Sequence, residues 1–134
     1  ADLLRVLAVQ QGAFHTALEI GWPHADGSGW EFSYGYNDED MTGVFSGLPK
    51  ACDMHSYRES LSLGHTQISP AQVDKILARM EESWHGWDYH MLTRNCVNFT
   101  EQLCREVGMG EIPRWCGRAA RAVRDSLARQ SACE

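Results

Sequence analysis

Cys96 and His15 are the residues of this 134-residue chain whose types and positions suit nucleophilic chemistry. Such chemistry needs a cysteine with a lowered pKa, a base within reach and donors for the developing oxyanion. A helix N-terminus supplies the first and the third, through its dipole and its free backbone N–H groups. Cys96 follows Asn95, a residue type that caps helices, and therefore begins a predicted helix. His15 begins a predicted strand, which would hold its side chain at a sheet edge. We therefore expect Cys96 to be the nucleophile and His15 its general base.

The other four cysteines lie in settings that suit catalysis less well. Two fall inside predicted helices, one in a predicted loop and one near the C-terminal end: Cys104, Cys116, Cys52 and Cys133. A single cysteine at a helix start is more often a small buried apolar residue than a nucleophile. Single histidines are also usually structural, and five others are present: His24, His55, His65, His85 and His90. The position of Cys96 alone therefore leaves the structural interpretation open.

Apolar and alternating segments in the first half of the chain predict strands. Two apolar segments, Leu3 to Val9 and Phe14 to Ile20, predict the first two. Trp30 to Tyr36 puts aromatic residues on one face and small or polar residues on the other, which predicts a third strand, paired with the second in an antiparallel hairpin. We expect an irregular link over Gly43 to Pro49 and one more strand over Ser56 to Leu63.

The second half of the chain predicts helices. Ser69-Pro70-Ala71-Gln72 is a capping box with proline at the first helical position, and Gly86 is expected to end that helix. Asn95 caps a second helix, and Pro113 opens a third that runs to about Ala128. Strands followed by helices indicate an α+β domain. We expect one domain over residues 1–134, with its core over about 3–120 and a basic C-terminal helix over about 113–128.

The composition limits the function classes. Apolar residues make up 43% of the chain and charged residues 22%, which is ordinary for a globular domain. The formal net charge of -6 disfavours a nucleic-acid partner, because phosphate binding needs a basic surface. An odd number of cysteines without a CxxC pair argues against a disulfide framework and a structural zinc site. These features predict a soluble protein of the cytoplasm, and also of the nucleus, with no membrane span and no metal.

Five short motifs occur in order along nearly the whole chain, over roughly residues 3 to 120. They are Gly12-x-x-His15-Thr16, Glu31-Phe32-x-Tyr34-Gly35, Leu63-Gly64-x-Thr66, Tyr89-His90-x-Leu92-x-x-Asn95-Cys96-x-x-Phe99 and Ile112-Pro113-x-Trp115. Each motif is short, but their order and spacing together resemble the PPPDE peptidases, also called DeSI-type deSUMOylating isopeptidases.

This resemblance implies a papain-like α+β fold, circularly permuted so that histidine precedes cysteine, with a small antiparallel sheet and about three helices. It implies a dyad of His15 and Cys96, and no cofactor. The implied activity is cleavage of ubiquitin or a ubiquitin-like modifier such as SUMO from proteins. The family usually has Asn-Cys-Asn-His-Phe around the nucleophile, whereas this chain has Val97 and Asn98 after the cysteine.

Two alternatives stay open. The first is a protein acyl (palmitoyl) thioesterase that uses the same dyad, and the second is a binding module without catalysis. Besides the dyad, Asn95 and Asn98 are candidates for supporting the oxyanion. Four aromatic residues are candidates for lining a substrate groove: Trp22, Trp30, Tyr34 and Tyr36. A place in the core is the alternative for the two tryptophans, and it is the more common one for such residues.

Four arginines recur at helical spacing in the predicted C-terminal helix: Arg114, Arg118, Arg121 and Arg124. A solvated helix face is the ordinary interpretation of such a stripe. The alternative is that it contacts an anionic membrane surface or an acidic partner. The sequence leaves open whether the protein forms a homodimer.

Overall fold

The computed structural model describes residues 4–11, 15–21, 29–48 and 57–133. Within these ranges, five strands precede three α-helices. The strands are β1 (Leu4–Gln11), β2 (His15–Ile20), β3 (Trp30–Tyr34), β4 (Val44–Gly47) and β5 (Tyr57–Thr66). The helices are α1 (Pro70–Ser83), α2 (Cys96–Glu106) and α3 (Arg118–Cys133), with a short 3-10 turn at Gly86–Asp88. This order confirms the predicted α+β class.

The strands form one antiparallel sheet in the order β4-β3-β2-β1-β5. Strands β2 and β3 pair as the predicted hairpin, with Leu18 opposite Phe32. Strands β1 and β2 pair so that Gln11 lies opposite His15. Because side chains alternate along a strand, this register decides which residues face the helices.

The hydrophobic core lies between one face of the sheet and the helices. Alternate residues of β3 enter it, since Phe32 and Tyr34 belong to the core and Ser33 between them faces the other way. Helix α2 packs against β2 and β3. Its Phe99 is fully buried and its ring centroid lies 6.1 Å from that of Tyr34 and 5.5 Å from that of Trp84. The packing of α2 on this face carries its N-terminus to the starting end of β2.

The helix starts confirm the capping predictions. The Ser69 side chain accepts a hydrogen bond from the Gln72 amide, and the Gln72 side chain accepts one from Ser69, which completes the capping box of α1. Asn95 caps α2 in the same reciprocal way with Asn98. Helix α1 ends at Ser83, three residues before the predicted stop at Gly86.

Two predictions about the elements were wrong. Val44–Gly47 is a strand and not an irregular link, because Phe45 pairs with Ser33 on the edge of the sheet. The third helix begins at Arg118 and not at Pro113. Turns occupy residues 114–117, and Cys116 lies in them instead of inside a helix. Gly117 has a φ of +72°, and a Cβ there would overlap the Val97 side chain, so close packing against α2 delays the start of α3.

Candidate active site

Cys96 is the first residue of α2 and is 2% exposed. Asn95 Oδ1 accepts hydrogen bonds from the amides of Val97 at 3.0 Å and Asn98 at 3.1 Å. Asn98 Oδ1 accepts one from the Asn95 amide at 2.9 Å. This reciprocal cap fixes the backbone of the first helical turn and with it the position of the cysteine.

The Cys96 sulfur lies against the start of β2. The Thr16 amide donates a hydrogen bond to Cys96 Sγ at a distance of 3.4 Å. Since Thr16 directly follows His15, this contact joins the two chain segments that the sequence singled out, although 80 residues separate Thr16 from Cys96. The predicted proximity of the β2 start and the α2 start is therefore present in the fold.

Burial raises the pKa of the Cys96 thiol. Hydrogen bonds from the backbone amides of Thr16, Cys96 and Val97 and from the Tyr89 hydroxyl act in the opposite direction, because they stabilise the thiolate. Loss of hydration is the larger effect. The expectation that the helix N-terminus leaves Cys96 with a lowered pKa is thus wrong. A base that accepts the thiol proton would counteract this effect.

Thr16 is held by hydrogen bonds at three further points. Its Oγ1 donates to Gln10 Oε1 at 2.8 Å. Its carbonyl oxygen accepts from Thr100 Oγ1 at 3.2 Å and from Ser33 Oγ at 3.4 Å. Because α2, β1 and β3 all hold this residue, its amide is a fixed donor toward the cysteine sulfur.

His15 is 6% exposed, and its contacts include one residue of β3 and one of β4. Its Nε2 lies 3.1 Å from Ser33 Oγ. Its ring is stacked with that of Phe45, with centroids 6.1 Å apart and planes inclined by 17°. The imidazole therefore lies between a hydrogen-bonding hydroxyl on β3 and an aromatic ring on β4.

Sequence reasoning missed Ser33 and Tyr89 as members of the site. Ser33 is a small polar residue within β3 and carries no sequence signal of a role. The register of β3 with its neighbouring strands places it next to His15. Tyr89 belongs to a motif that carries the family resemblance, but it follows the 3-10 turn with no local signal of a role. In the fold its side chain is hydrogen bonded to Cys96.

Tyr89→Phe is expected to slow alkylation of Cys96 by about threefold to tenfold at pH 7.5, as one hydrogen bond to the anion is lost. Burial raises the pKa of Tyr89 to about 12, so its hydroxyl is a donor throughout the neutral range. Removing this donor raises the pKa of Cys96 further and lowers the thiolate fraction below that pKa. Iodoacetamide labelling read by mass measures the rate, with the 64%-exposed Tyr36→Phe as control. Equal rates for wild type and Tyr89→Phe would contradict this role.

The two asparagines that were predicted to support the oxyanion are part of the helix cap. Asn95 Nδ2 donates to the Met91 carbonyl at 2.8 Å, and Asn95 Oδ1 accepts from the amides of Val97 and Asn98. In this conformation the side-chain donor of Asn95 is engaged away from the sulfur. A direct contact of either side chain with an oxyanion stays a prediction.

The four aromatic residues predicted for a substrate groove do not share one environment in the structure. Trp22 lies outside the described residues. Tyr34 is 1% exposed and packs in the core, because its place on β3 points it at the helices; this corrects its assignment to a groove. Trp30 is half-buried and faces α1 together with Phe32. Tyr36 is exposed beyond the end of β3, beside Gly35.

The arginine stripe is partly neutralised within the fold. Arg121 forms an ion pair with Glu101 at 2.6 Å and donates to the carbonyls of Arg114 at 3.0 Å and Cys116 at 2.6 Å. Arg124 Nε lies 3.9 Å from an Asp125 carboxylate oxygen. Arg121 therefore ties the start of α3 to α2. Contact of Arg114, Arg118, Arg121 and Arg124 with an anionic surface or acidic partner stays a prediction.

Two features are absent from the described residues, a metal-binding cluster and a membrane-spanning helix. Within the ranges given above, no group of three or more His, Cys, Asp and Glu side chains is arranged to hold a metal ion. None of the helices in that part of the chain has the length and apolar character needed to cross a bilayer.

Comparison with curated proteins identifies relatives in three eukaryotes. A DeSI-like protein of Arabidopsis thaliana, At4g17486, is 30% identical over 110 residues, which are 82% of this chain and 46% of that protein. The desumoylating isopeptidase 1 homolog of Caenorhabditis elegans is 30% identical over 113 residues, 81% of this chain and 32% of that protein. DeSI-like protein sdu1 of Schizosaccharomyces pombe is 30% identical over 112 residues, which are 82% of this chain and 52% of that protein. The chain thus spans about a third to a half of the length of these relatives.

A family comparison covers more of the chain than the relatives do. The model described as "PPPDE putative peptidase domain" matches residues 4–132, from the first residue of β1 nearly to the end of α3. The resemblance that five separate motifs indicated is confirmed over the whole sheet and all three helices. The chain belongs to the PPPDE peptidase family.

Proposed function

We propose that the chain is a cysteine isopeptidase that removes SUMO, ubiquitin or a related modifier from proteins, with Cys96 as nucleophile and His15 as general base. The observation that carries this proposal is the 3.4 Å contact between the Thr16 amide and Cys96 Sγ, which places the residue after His15 against a buried sulfur at a helix N-terminus. Family membership and the name of the nematode relative support an isopeptide substrate.

In the proposed reaction, His15 takes the proton of the Cys96 thiol as the sulfur attacks the isopeptide carbonyl carbon. The raised pKa of the thiol makes this base necessary. The tetrahedral oxyanion forms next to the Cys96 amide, which lies at the positive end of α2. His15 then gives its proton to the leaving lysine amine, and the C–N bond breaks.

A thioester between Cys96 and the modifier's C-terminus remains after the amine leaves. Water attacks this thioester while His15 takes one of its protons, and the C–S bond breaks. The proton returns to sulfur, so the thiol and the neutral imidazole are restored. Tyr89 keeps its hydroxyl proton throughout, because its pKa of about 12 lies far above neutral, and it remains a donor at the sulfur.

A mainly polar surface beside the first turn of α2 suits a peptide better than a long acyl chain, if the substrate extends from Cys96 over it. A pocket of about 270 Å³ beside this turn is lined mainly by polar and charged side chains, among them Asn95, Asn98, Glu101 and Arg121. An acyl chain gains roughly 0.8 kcal/mol for each CH₂ group that it buries against apolar walls, and these walls are polar. The acyl thioesterase and the non-catalytic binding module are therefore outcomes of the test and not our proposal.

The test uses SUMO and ubiquitin probes that carry an electrophilic C-terminus, together with the corresponding cleavable fusions and a fluorogenic acyl thioester. Wild type is expected to form a covalent adduct on Cys96 and to cleave a fusion, and Cys96→Ser is expected to do neither. Cys104→Ala is the matched control, because it removes another buried thiol of α2. Thioester turnover without fusion cleavage would replace the proposal by the acyl thioesterase. No Cys96-dependent turnover of any substrate would favour the binding module.

A further inference from the structure

We propose that Ser33 is a positioning residue for His15, which holds the imidazole through Nε2 and stabilises its protonated form during catalysis. This inference rests on the proposed function of His15 as the base. The contact behind it is the 3.1 Å distance between Ser33 Oγ and His15 Nε2. Ser33 is 1% exposed, so water is largely excluded from this contact.

The hydroxyl of Ser33 has two hydrogen-bond partners, the Thr16 carbonyl oxygen and His15 Nε2, and it can donate to the first while it accepts from the second. The Thr16 carbonyl oxygen, 3.4 Å away, can only accept a hydrogen bond, so the hydroxyl proton can go to it. In the tautomer that this proposal requires, the hydroxyl oxygen accepts from His15 Nε2–H. The chain of donors then runs from His15 through Ser33 to Thr16, and the proposal assigns the exchange of a proton with the thiol to Nδ1.

This arrangement becomes more favourable when His15 is protonated. An imidazolium donates from both nitrogens, and a hydrogen bond from a charged donor is stronger than one between neutral groups. Ser33 therefore assists the step in which His15 accepts the thiol proton. The same serine also holds the Thr16 carbonyl, so one side chain connects the base to the residue whose amide contacts the sulfur.

Nearby titratable groups sit on the same face of the sheet. Glu31 is two residues before Ser33 on β3, and Glu19 lies opposite Glu31 on β2. Gln11, the residue opposite His15 on β1, donates from Nε2 to both oxygens of Glu31, at 2.8 Å and 2.9 Å. The Glu31 carboxylate is thus engaged by an amide on β1, while Ser33 has its own contact with the imidazole.

The test measures alkylation of Cys96 by iodoacetamide from pH 6 to pH 10, read by mass on the Cys96 peptide. Ser33→Ala is expected to slow the reaction by about tenfold at pH 7, where thiolate forms by proton transfer to His15. The two proteins should converge toward pH 10, where the thiol ionises with His15 neutral. In a His15→Ala background, Ser33→Ala should have no further effect, as two mutations that act through one interaction are not additive.

Thr100→Val is the matched control. Thr100 Oγ1 donates to the same Thr16 carbonyl at 3.2 Å, and valine keeps nearly the shape of threonine. We expect this variant to react within about twofold of wild type, because Ser33 acts through His15 and not only by anchoring Thr16.

A rate loss in Ser33→Ala that is equal at every pH, or that persists in the His15→Ala background, would overturn the proposal. An equal loss in Thr100→Val would do the same. The alkylation readout uses no protein conjugate, so it separates this inference from the substrate. If SUMO and ubiquitin fusions are not cleaved while the pH-dependent effect of Ser33→Ala is found, the proposed function fails and the positioning role stands.

Discussion

His15→Ala is expected to lower kcat/KM for Cys96-dependent cleavage of a ubiquitin-like fusion by about a thousandfold, within the range that general acid–base catalysis contributes. The effect should be large because burial raises the pKa of the Cys96 thiol, and His15 is the proposed acceptor of its proton. The measurement is steady-state turnover of the fusion that wild type cleaves. Added imidazole should restore part of the activity, since it fits the space that the side chain leaves.

His90→Ala is the control for this prediction. His90 lies only six residues before Cys96 in sequence, but it is exposed and its Nδ1 accepts from the Leu92 amide at 3.2 Å. We expect turnover within about twofold of wild type, as surface substitutions have small effects. If His90→Ala were the inactive variant and His15→Ala retained turnover, the assignment of the base would be wrong.

Phe99→Ala is expected to reduce the free energy of unfolding by about 3–5 kcal/mol, the usual cost of emptying a buried aromatic site. Phe99 is fully buried between Tyr34 and Trp84, three residues after Cys96 in α2. Its ring anchors the first turns of this helix on the sheet. Urea unfolding followed by tryptophan fluorescence or circular dichroism measures the change.

Leu61→Ala is the control for the stability prediction, because Leu61 is a 45%-exposed apolar residue of β5. We expect it to cost less than about 1 kcal/mol, since most of the removed area is already in water. Phe99→Leu should fall between the two, as it keeps much of the buried volume. Similar unfolding midpoints for Phe99→Ala and Leu61→Ala would show that α2 is not anchored in this way.

The sequence by itself determined the elements whose signals are local. The capping residues Ser69 and Asn95 predicted the starts of α1 and α2, and alternation predicted β3 and its hairpin with β2. A cap needs only a side chain and the next three amides, so it can be recognised without knowing the fold. The same cap identified Cys96 as a helix-start cysteine, and the ordered motifs identified the family.

The sequence also misplaced features that depend on distant neighbours. Strand β4 has only four residues, and its strand conformation comes from pairing with β3. The start of α3 is delayed by the packing of Gly117 against Val97, a contact between segments 20 residues apart. Tyr34 was assigned to a groove, yet the direction of β3 places it in the core. In each case a long-range contact decided the outcome over the local preference.

Only the tertiary structure determined the surroundings of the two candidate catalytic residues. The register of the hairpin brings Ser33 to His15, and the packing of α2 on the sheet brings the Thr16 amide to the Cys96 sulfur. The direction of the Cys96 pKa shift was also undecidable from sequence, because a helix N-terminus lowers that pKa and burial raises it. Which effect is larger depends on how much water the folded chain excludes, and that is a property of the packed molecule.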